Sequence, residues 1–396
     1  MRARLGLLIA MVVVALPACG GGDTKPGSAQ KNDGKPANAQ ETIKIGALLP
    51  LSGSNAPAGA DMLNAAKLAA DDVNASGGIL GRRIEIVPGD DGCDDPMATA
   101  AAQAVIPSGI VGVAGGYCSG AAIPASAVLD GAGIPYVAAF ATNPALTDRG
   151  LRTVFRVQGR DDNEAAFAAR FLAGPGGTKK LALLHDNTLY AKGLAELVRS
   201  VNDQLKFGLQ VVFFDAITPG QADYRPALAQ VKASGADTLY YTGYPAEAAV
   251  ILRQAKELGL RVMGGAAIAE PAVLEEAGPA AEGVIASTTP LPGFLPSGDS
   301  FSVPYTERFG HAPGPASVYE YDAVRVLANA IFWAGSTDPK DIIEALRTTR
   351  HEGLIGEIAF DAKGDRQSTL YTTAIVRDGK FRAHKRLDAW DNWVDG

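Results

Sequence analysis

Val111-Gly112-Val113-Ala114-Gly115-Gly116-Tyr117-Cys118-Ser119-Gly120 runs from an apolar stretch of strand character into paired glycines, then onto a cysteine and a serine. The next residues, 121–129, are small and apolar and read as a helix in spite of Pro124. A strand, a glycine turn and a serine at a helix start build a small anion site. The first-turn N–H groups have no backbone acceptors, and the aligned peptide dipoles favour negative charge there. A serine in that place caps the helix or reaches a ligand.

The same succession repeats on both sides. Ile43 to Leu49 reads as a strand, followed by the turn Pro50-Leu51-Ser52-Gly53-Ser54 and a helix over 58–74 that stops at Gly77-Gly78. Strands over 83–88, 110–114 and 134–138 alternate with helices over 97–106 and 121–129. This alternation predicts an α/β fold with a parallel sheet covered on both faces. Ligands of such sheets sit beyond the carboxyl ends of the strands. Ser52, Ser119 and Thr142 all follow such ends, the last within Ala139-Phe140-Ala141-Thr142-Asn143-Pro144. One crevice is expected to collect the three hydroxyls.

A second α/β set begins near Asp161. Strands over 180–184, 209–214 and 238–241 alternate with helices over 162–172, 191–205, 223–233 and 247–258. Asp186, Tyr190 and Tyr244 follow its strand ends, so two similar lobes are expected to face each other across a cleft. After a strand over 284–288 come a Pro/Gly-rich stretch, helices over 303–309, 318–334 and 339–347, and strands over 356–360 and 369–377. Late segments of this kind complete sheets begun earlier and cross between lobes, as a hinge needs.

Length and composition fit this picture. With 396 residues, 47% hydrophobic and 20% charged, the chain is long enough for two substantial cores. A net charge of −7 argues against nucleic acid or an anionic membrane surface as partner. Arg2 and Arg4 followed by the apolar run Leu5 to Leu16 read as a secretion signal, too short for a permanent span. It ends in Leu16-Pro17-Ala18-Cys19, which resembles the lipobox of bacterial lipoproteins, with Cys19 as the lipidated residue. Residues 20–40 have little to bury and read as a tether.

Cys93 and Cys118 remain, and in an exported domain they are expected to pair. Closing their loop contributes about 3–4 kcal/mol in the chain-entropy model and pins the turn before Ser119. The aspartates of Asp90-Asp91-Gly92-Cys93-Asp94-Asp95 lack calcium-loop spacing. They read as a solvated turn with a helix cap at Asp94 or Asp95. Trp333, Trp390 and Trp393 read as packing residues.

Two chemical readings fail on the sequence. Gly116-Tyr117-Cys118-Ser119-Gly120 has the form of a nucleophile elbow with cysteine at its centre, and His185-Asp186 would supply base and orienter. The cysteine has a disulfide partner available, however, and His185 falls in the other lobe. His311, His351 and His384 have no triad or metal spacing. No glycine turn gives the dinucleotide pattern after the first strand. No catalysis, cofactor or metal is expected.

Several ordered blocks carry a resemblance over nearly the whole mature chain. They include Leu51-Ser52-Gly53, Asn74-Ala75-Ser76-Gly77-Gly78-Ile79, Asp90-Asp91-Gly92-Cys93-Asp94 and Cys118-Ser119. Ala141-Thr142-Asn143-Pro144-Ala145-Leu146-Thr147, Val212-Phe213-Phe214-Asp215 and Tyr240-Tyr241-Thr242-Gly243-Tyr244 continue the series. With these the sequence resembles the branched-chain amino acid (leucine/isoleucine/valine) binding proteins of ABC transporters. The resemblance implies a type I periplasmic binding protein with two Rossmann-like lobes joined by a three-segment hinge. The expected division is a signal peptide at 1–18 and a lipidated tether at 19–42. The N-terminal lobe then takes 43–160 plus 288–365, and the C-terminal lobe 161–287 plus 366–392.

The resemblance also implies a binding set. Ser119, Phe140, Ala141 and Thr142 would hold the ligand's carboxylate, and Tyr190 and Tyr244 would close over its body. Ala266 stands where the family has a glutamate for the ligand's ammonium. Ala58 replaces an aromatic residue, and Ser317 another. Either a different acid, such as Glu270 or Asp322, takes over, or the ligand is not an α-amino acid. The expected function is capture of a branched-chain or other apolar amino acid and delivery to a permease by a lipid-anchored, extracytoplasmic monomer. A receptor for a small organic carboxylate or amide, or a sensor not coupled to transport, is the alternative.

Overall fold

The computed structural model describes residues 42–396. The signal, Cys19 and nearly all of the tether lie outside the described residues. The first lobe opens with β1 (Ile43–Leu49), α1 (Ala56–Ala75), β2 (Ile84–Asp90), α2 (Asp95–Val105) and β3 (Ile110–Gly115). It continues with α3 (Ser119–Gly131), β4 (Tyr136–Ala138), the short α4 (Ala145–Asp148) and β5 (Val154–Arg156). These strands form a parallel sheet in the order β2-β1-β3-β4-β5. β1, next to the middle, is buried along nearly its whole length, as expected of a strand with helices on both faces.

The second lobe follows with α5 (Asp161–Ala173), β6 (Lys180–His185), α6 (Leu189–Leu205), β7 (Gln210–Ala216) and α7 (Arg225–Ala233). Then come β8 (Thr238–Thr242), α8 (Pro245–Glu257), β9 (Val262–Gly264), α9 (Pro271–Ala277) and β10 (Ile285–Thr288). The chain returns to the first lobe for α10 (Gly298–Phe309), α11 (Pro315–Ala334), α12 (Pro339–Arg347) and the hairpin of β11 (Arg350–Gly353) and β12 (Gly356–Ala359). It ends in the second lobe with β13 (Thr372–Arg377), β14 (Lys380–Leu387) and β15 (Trp393–Asp395). The second sheet runs β15-β14-β13-β10-β9-β8-β6-β7, parallel from β10 to β7 and antiparallel beyond. Among the described residues the chain thus passes between the sheets three times, at 157–160, 289–297 and 361–371.

Three local expectations need correction. The aspartate turn is exposed at Asp94 and Asp95, as expected, but not at Asp91. Asp91 is 1% exposed, accepts the Cys93 N–H at 2.9 Å, and is pushed up to about 6 by burial. Asp90 gathers the N–H groups of Leu51, Ser52 and Gly92, while Asp94 caps α2 through Met97. The loop is a knot that ties β2 to the first turn. Second, α10 starts at Gly298 rather than 303 and carries Pro304 inside it. Third, Trp333 and Trp390 are surface residues, 75% and 83% exposed. The buried stripe of α11, through Val326, Leu327, Ala330 and Ile331, leaves position 333 on the outer face, where it meets the edge of Phe332. Trp393 does pack, against Phe167 and Phe171.

The first lobe buries one acid at a cost. Glu320 on α11 is fully enclosed, and neither of its oxygens has a hydrogen-bond partner among the described residues. Burial pushes it up to about 8, from 4.5. At neutral pH it is a neutral acid in the folded protein and an anion in the unfolded chain. Its contribution is therefore fully present below about pH 4.5 and is lost as pH rises to about 8. Urea unfolding across this window is expected to show stability falling by up to roughly 1.4 kcal/mol per pH unit from this residue. Glu320→Gln should flatten that part of the slope.

Candidate functional site

The site is built first from the turn after β3. Gly115 and Gly116 take φ of +132° and +82°. A Cβ on Gly115 would meet Leu48 O at 2.3 Å, so glycine alone lets β3 turn this close to β1. Cys118 is extended and joined to Cys93 by the expected disulfide. The bond ties the aspartate knot to the start of α3. Ser119 is the first residue of α3, 1% exposed, and its Oγ accepts the Asn143 N–H at 3.2 Å.

The loop after β4 is held from beneath by Arg156. This fully buried guanidinium donates to the carbonyls of Ala141 (3.3 Å) and Asn143 (2.9 Å). It also donates through Nε to Asp365 at 2.9 Å and through Nη2 to Thr147 at 2.9 Å. Asp365 in turn takes Arg160 at 2.8 Å. The first and third crossings are thereby joined, with Tyr371 adding a hydrogen bond to the Arg160 carbonyl at 2.8 Å. The charges keep Asp365 below the usual carboxylate range in spite of its burial.

The second lobe supplies aromatic rings from helix starts. Tyr190 lies in the first turn of α6, which Thr188 caps, and Tyr244 precedes α8. Ring centroids run Tyr190–Tyr244 (5.6 Å), Tyr244–Tyr117 (5.9 Å), Tyr117–Phe140 (5.7 Å) and Phe140–Tyr319 (5.6 Å). Thr142, Ala266 and Ala267 complete the wall around a void of about 10 Å³, the size of one water. Of the expected set, Phe140, Thr142, Tyr190, Tyr244 and Ala266 meet at this void; Ser119, on α3, and Ala141, in the loop, do not line it and instead hold the loop in place. Tyr117 was not anticipated. Its place between the glycine pair and Cys118 was the available signal.

Ala266 carries no acid, yet acids lie next to it. Glu164 on α5 accepts the Ala266 N–H at 3.0 Å and the Ser287 hydroxyl at 2.9 Å. Three residues earlier, Asp161 is fully buried. Thr142 lies against it, but neither carboxylate oxygen has a hydrogen-bonding partner of good geometry among the described residues. Burial pushes Asp161 up to about 7 and Glu164 up to about 8; Asp161 makes Glu164 harder to ionise, while Arg156 and Arg160 offset part of the cost at Asp161. The two acids expected from sequence have other settings. Asp322 takes the N–H groups of Leu354 and Ile355 within the first lobe. Glu270 accepts the Tyr117 hydroxyl at 3.2 Å, at the edge of the site.

Asp161 and Glu164 escaped the sequence reading because acids in a first helical turn suit the helix dipole at the surface. The signal was the spacing: 161, 164, 165 and 168 share one helical face, and the last two are alanines facing the core. The nucleophile reading finds no support, since Cys118 is in the disulfide. His185 is buried, held below its usual value by burial, with Nδ1 accepting the Asn187 N–H at 3.0 Å.

Comparisons agree with this geometry. A family model described as periplasmic binding protein matches residues 42–380. An amino acid binding protein of Pseudomonas aeruginosa is 33% identical over 357 residues, covering 88% of this chain and 94% of the relative. A leucine binding protein from Thermotoga maritima superposes with a TM-score of 0.82 at 27% identity, over 89% of this chain and 100% of that one. A branched-chain amino acid transporter substrate binding protein from Streptococcus pneumoniae, in complex with isoleucine, gives 0.81 at 26% identity, over 90% and 100%.

Arg156 tests whether the carboxylate loop depends on the hinge. Arg156→Met would leave Asp365 buried beside a single remaining cation and free two loop carbonyls. A loss of about 3–5 kcal/mol in chemical unfolding is expected.

Proposed function

The chain belongs to the periplasmic binding protein family, and from that premise we propose that it captures a small apolar amino acid between its lobes and passes it to an ABC permease. The observation that carries the amino-acid reading is Asp161, a fully buried carboxylate against Thr142, which burial pushes up to about 7 in spite of Arg156 and Arg160 nearby. A buried charge in that state is costly until a cation meets it. A ligand ammonium is such a cation, and Glu164 gives it a second acid against the Ala266 backbone. The charge supplied elsewhere in the family by a glutamate at position 266 is thus supplied from α5.

In this reading Ser119, the α3 N-terminus and the Phe140-Ala141-Thr142 backbone hold the ligand's carboxylate. Tyr190 and Tyr244 travel with the second lobe and cover its apolar body. The void of about 10 Å³ is far smaller than a leucine side chain, so the ligand enters with the lobes apart and the rings re-pack around it. Closure is a shift between two arrangements of the hinge, and the closed form is what the permease recognises. No bond of the ligand is broken. The protein works outside the cytoplasm as a monomer held to the membrane through Cys19. Relatives named for leucine and isoleucine support the ligand class.

The experiment is calorimetric titration of protein freed of ligand by unfolding and refolding, with leucine, isoleucine, valine, phenylalanine and 4-methylpentanoate, which is leucine without its amine. Leucine is expected to bind at micromolar concentration or below, and removing the amine to weaken binding sharply. Asp161→Asn should weaken leucine by about 100-fold while sparing 4-methylpentanoate. Equal or tighter binding of 4-methylpentanoate by the unaltered protein would replace this reading with a carboxylate receptor. Neighbouring genes for a permease and ATPase separate transport from sensing.

A further inference from the structure

Beyond the aromatic void the cleft opens into a groove of about 450 Å³, within the range of small-molecule sites. The first lobe lines it with Ala58, Asp61 and His311, the second with Ala246, Glu270 and Glu275. No lysine or arginine is among its lining residues, so the groove favours cations. Ala58 leaves room where a larger side chain would fill it.

The groove and the void share a wall. Tyr117 lines the void, and its hydroxyl donates to Glu270 Oε1 on the groove side. Glu270 is 6% exposed, and its Oε2 accepts no hydrogen bond among the described residues. Across from it, Asp61 takes the Tyr305 hydroxyl at 3.0 Å and the Gly314 N–H at 2.9 Å, with the His311 ring 3.5 Å from its Oδ1. A Cβ on Gly314 would lie 2.7 Å from Asp61 Oδ2 and 3.2 Å from Glu270 Oε2. The two oxygens are therefore close enough for one small group to touch both. Glycine, at an ordinary φ of −71°, keeps that space open.

Two acids from opposite lobes thus approach each other when the cleft is shut. Burial and the nearness of Asp61 push Glu270 up to about 8, and burial raises Asp61 as well. The described residues hold no group of three or more acids, histidines or cysteines able to bind a metal ion. An organic cation reaching outward from the void fits the pair better.

Resting on the reading of the cleft as an amino-acid site, we propose that Asp61 and Glu270 form a second subsite, which takes the ammonium or guanidinium end of a long ligand side chain. The main site then fixes the α-carboxylate and α-ammonium, and the side chain runs past Tyr117 to the acidic pair. The charged end replaces the Tyr117 hydroxyl on Glu270 and offsets the repulsion between the lobes. The pair thus widens the ligand range from the apolar side chains proposed above to long basic ones: of two straight side chains of equal length, the one ending in a cation is favoured.

Lysine and norleucine make the test, since they differ by the terminal amine alone. Both are titrated calorimetrically into full-length protein freed of ligand, and into Glu270→Gln. Lysine is expected to bind tighter than norleucine by about tenfold or more, and the two to come within about twofold in the variant. Norleucine binding as tightly as lysine, or tighter, to the unaltered protein overturns the subsite and leaves the amino-acid site standing. Binding of neither overturns the subsite, and the leucine titration above then decides the amino-acid site. The comparison on unaltered protein decides the matter even if the variant does not fold.

Discussion

Arg156 is the constraint on which the rest of the structure depends. A guanidinium with no exposure must find partners for its donors, and the partners it finds are all structural. Asp365 belongs to the third crossing, Ala141 and Asn143 to the loop after β4, and Thr147 to α4. One buried ion thus specifies how two crossings meet and where the carboxylate loop lies. A buried pair of this kind adds little net stability compared with apolar packing, but it tolerates few alternative geometries.

The electrostatics of the cleft divide along the same line. Below Thr142 the charges are paired: Arg156 and Arg160 meet Asp365, Asp148 and Asp162. Above it burial dominates: Arg156 and Arg160 offset only part of its effect on Asp161, while Glu164 and Glu270 each face a neighbouring acid, and Asp61 has the His311 ring at 3.5 Å. The protein has concentrated burial-raised acids where the lobes meet and placed its buried arginine at the hinge. Desolvation raises the acids of the cleft, so without a bound cation they are pushed toward their neutral forms. A cationic group entering the cleft stabilises their ionised forms and the closed arrangement together.

Much of the fold was legible because its signals are local. Strand runs ending in glycine, hydroxyls just past strand ends and the repeat of one α/β layout need no knowledge of distant contacts. The placing of Thr142, Tyr190 and Tyr244 around one void could be read that way, helped by the family resemblance. Asp161 and Glu164 were hidden because their burial arises where α5 starts beside the first crossing, which sequence spacing registers only as a short stripe. Ala266 was misleading for a related reason: its contribution is a backbone N–H, which residue identity does not reveal. Trp333 and Trp390 failed in the opposite direction, as apolar residues left outside by the face and the turn they occupy. The pairing of Cys93 with Cys118 followed from compartment and count, but the buried state of Asp91 beside it did not.

The position of Asp161 and Glu164 on α5 has a consequence for how such a site diverges. The acids sit on the first turn of α5, directly after the first crossing between lobes, so altering them disturbs the hinge as well. The aromatic rings and Ala58 project from loop ends and helix starts, where a change of side chain leaves the backbone framework in place. Recognition of the charged head is therefore bound to the mechanics of closure, while recognition of the tail is free to vary. Descendants of such a chain would keep a taste for amino acids and change which ones they take.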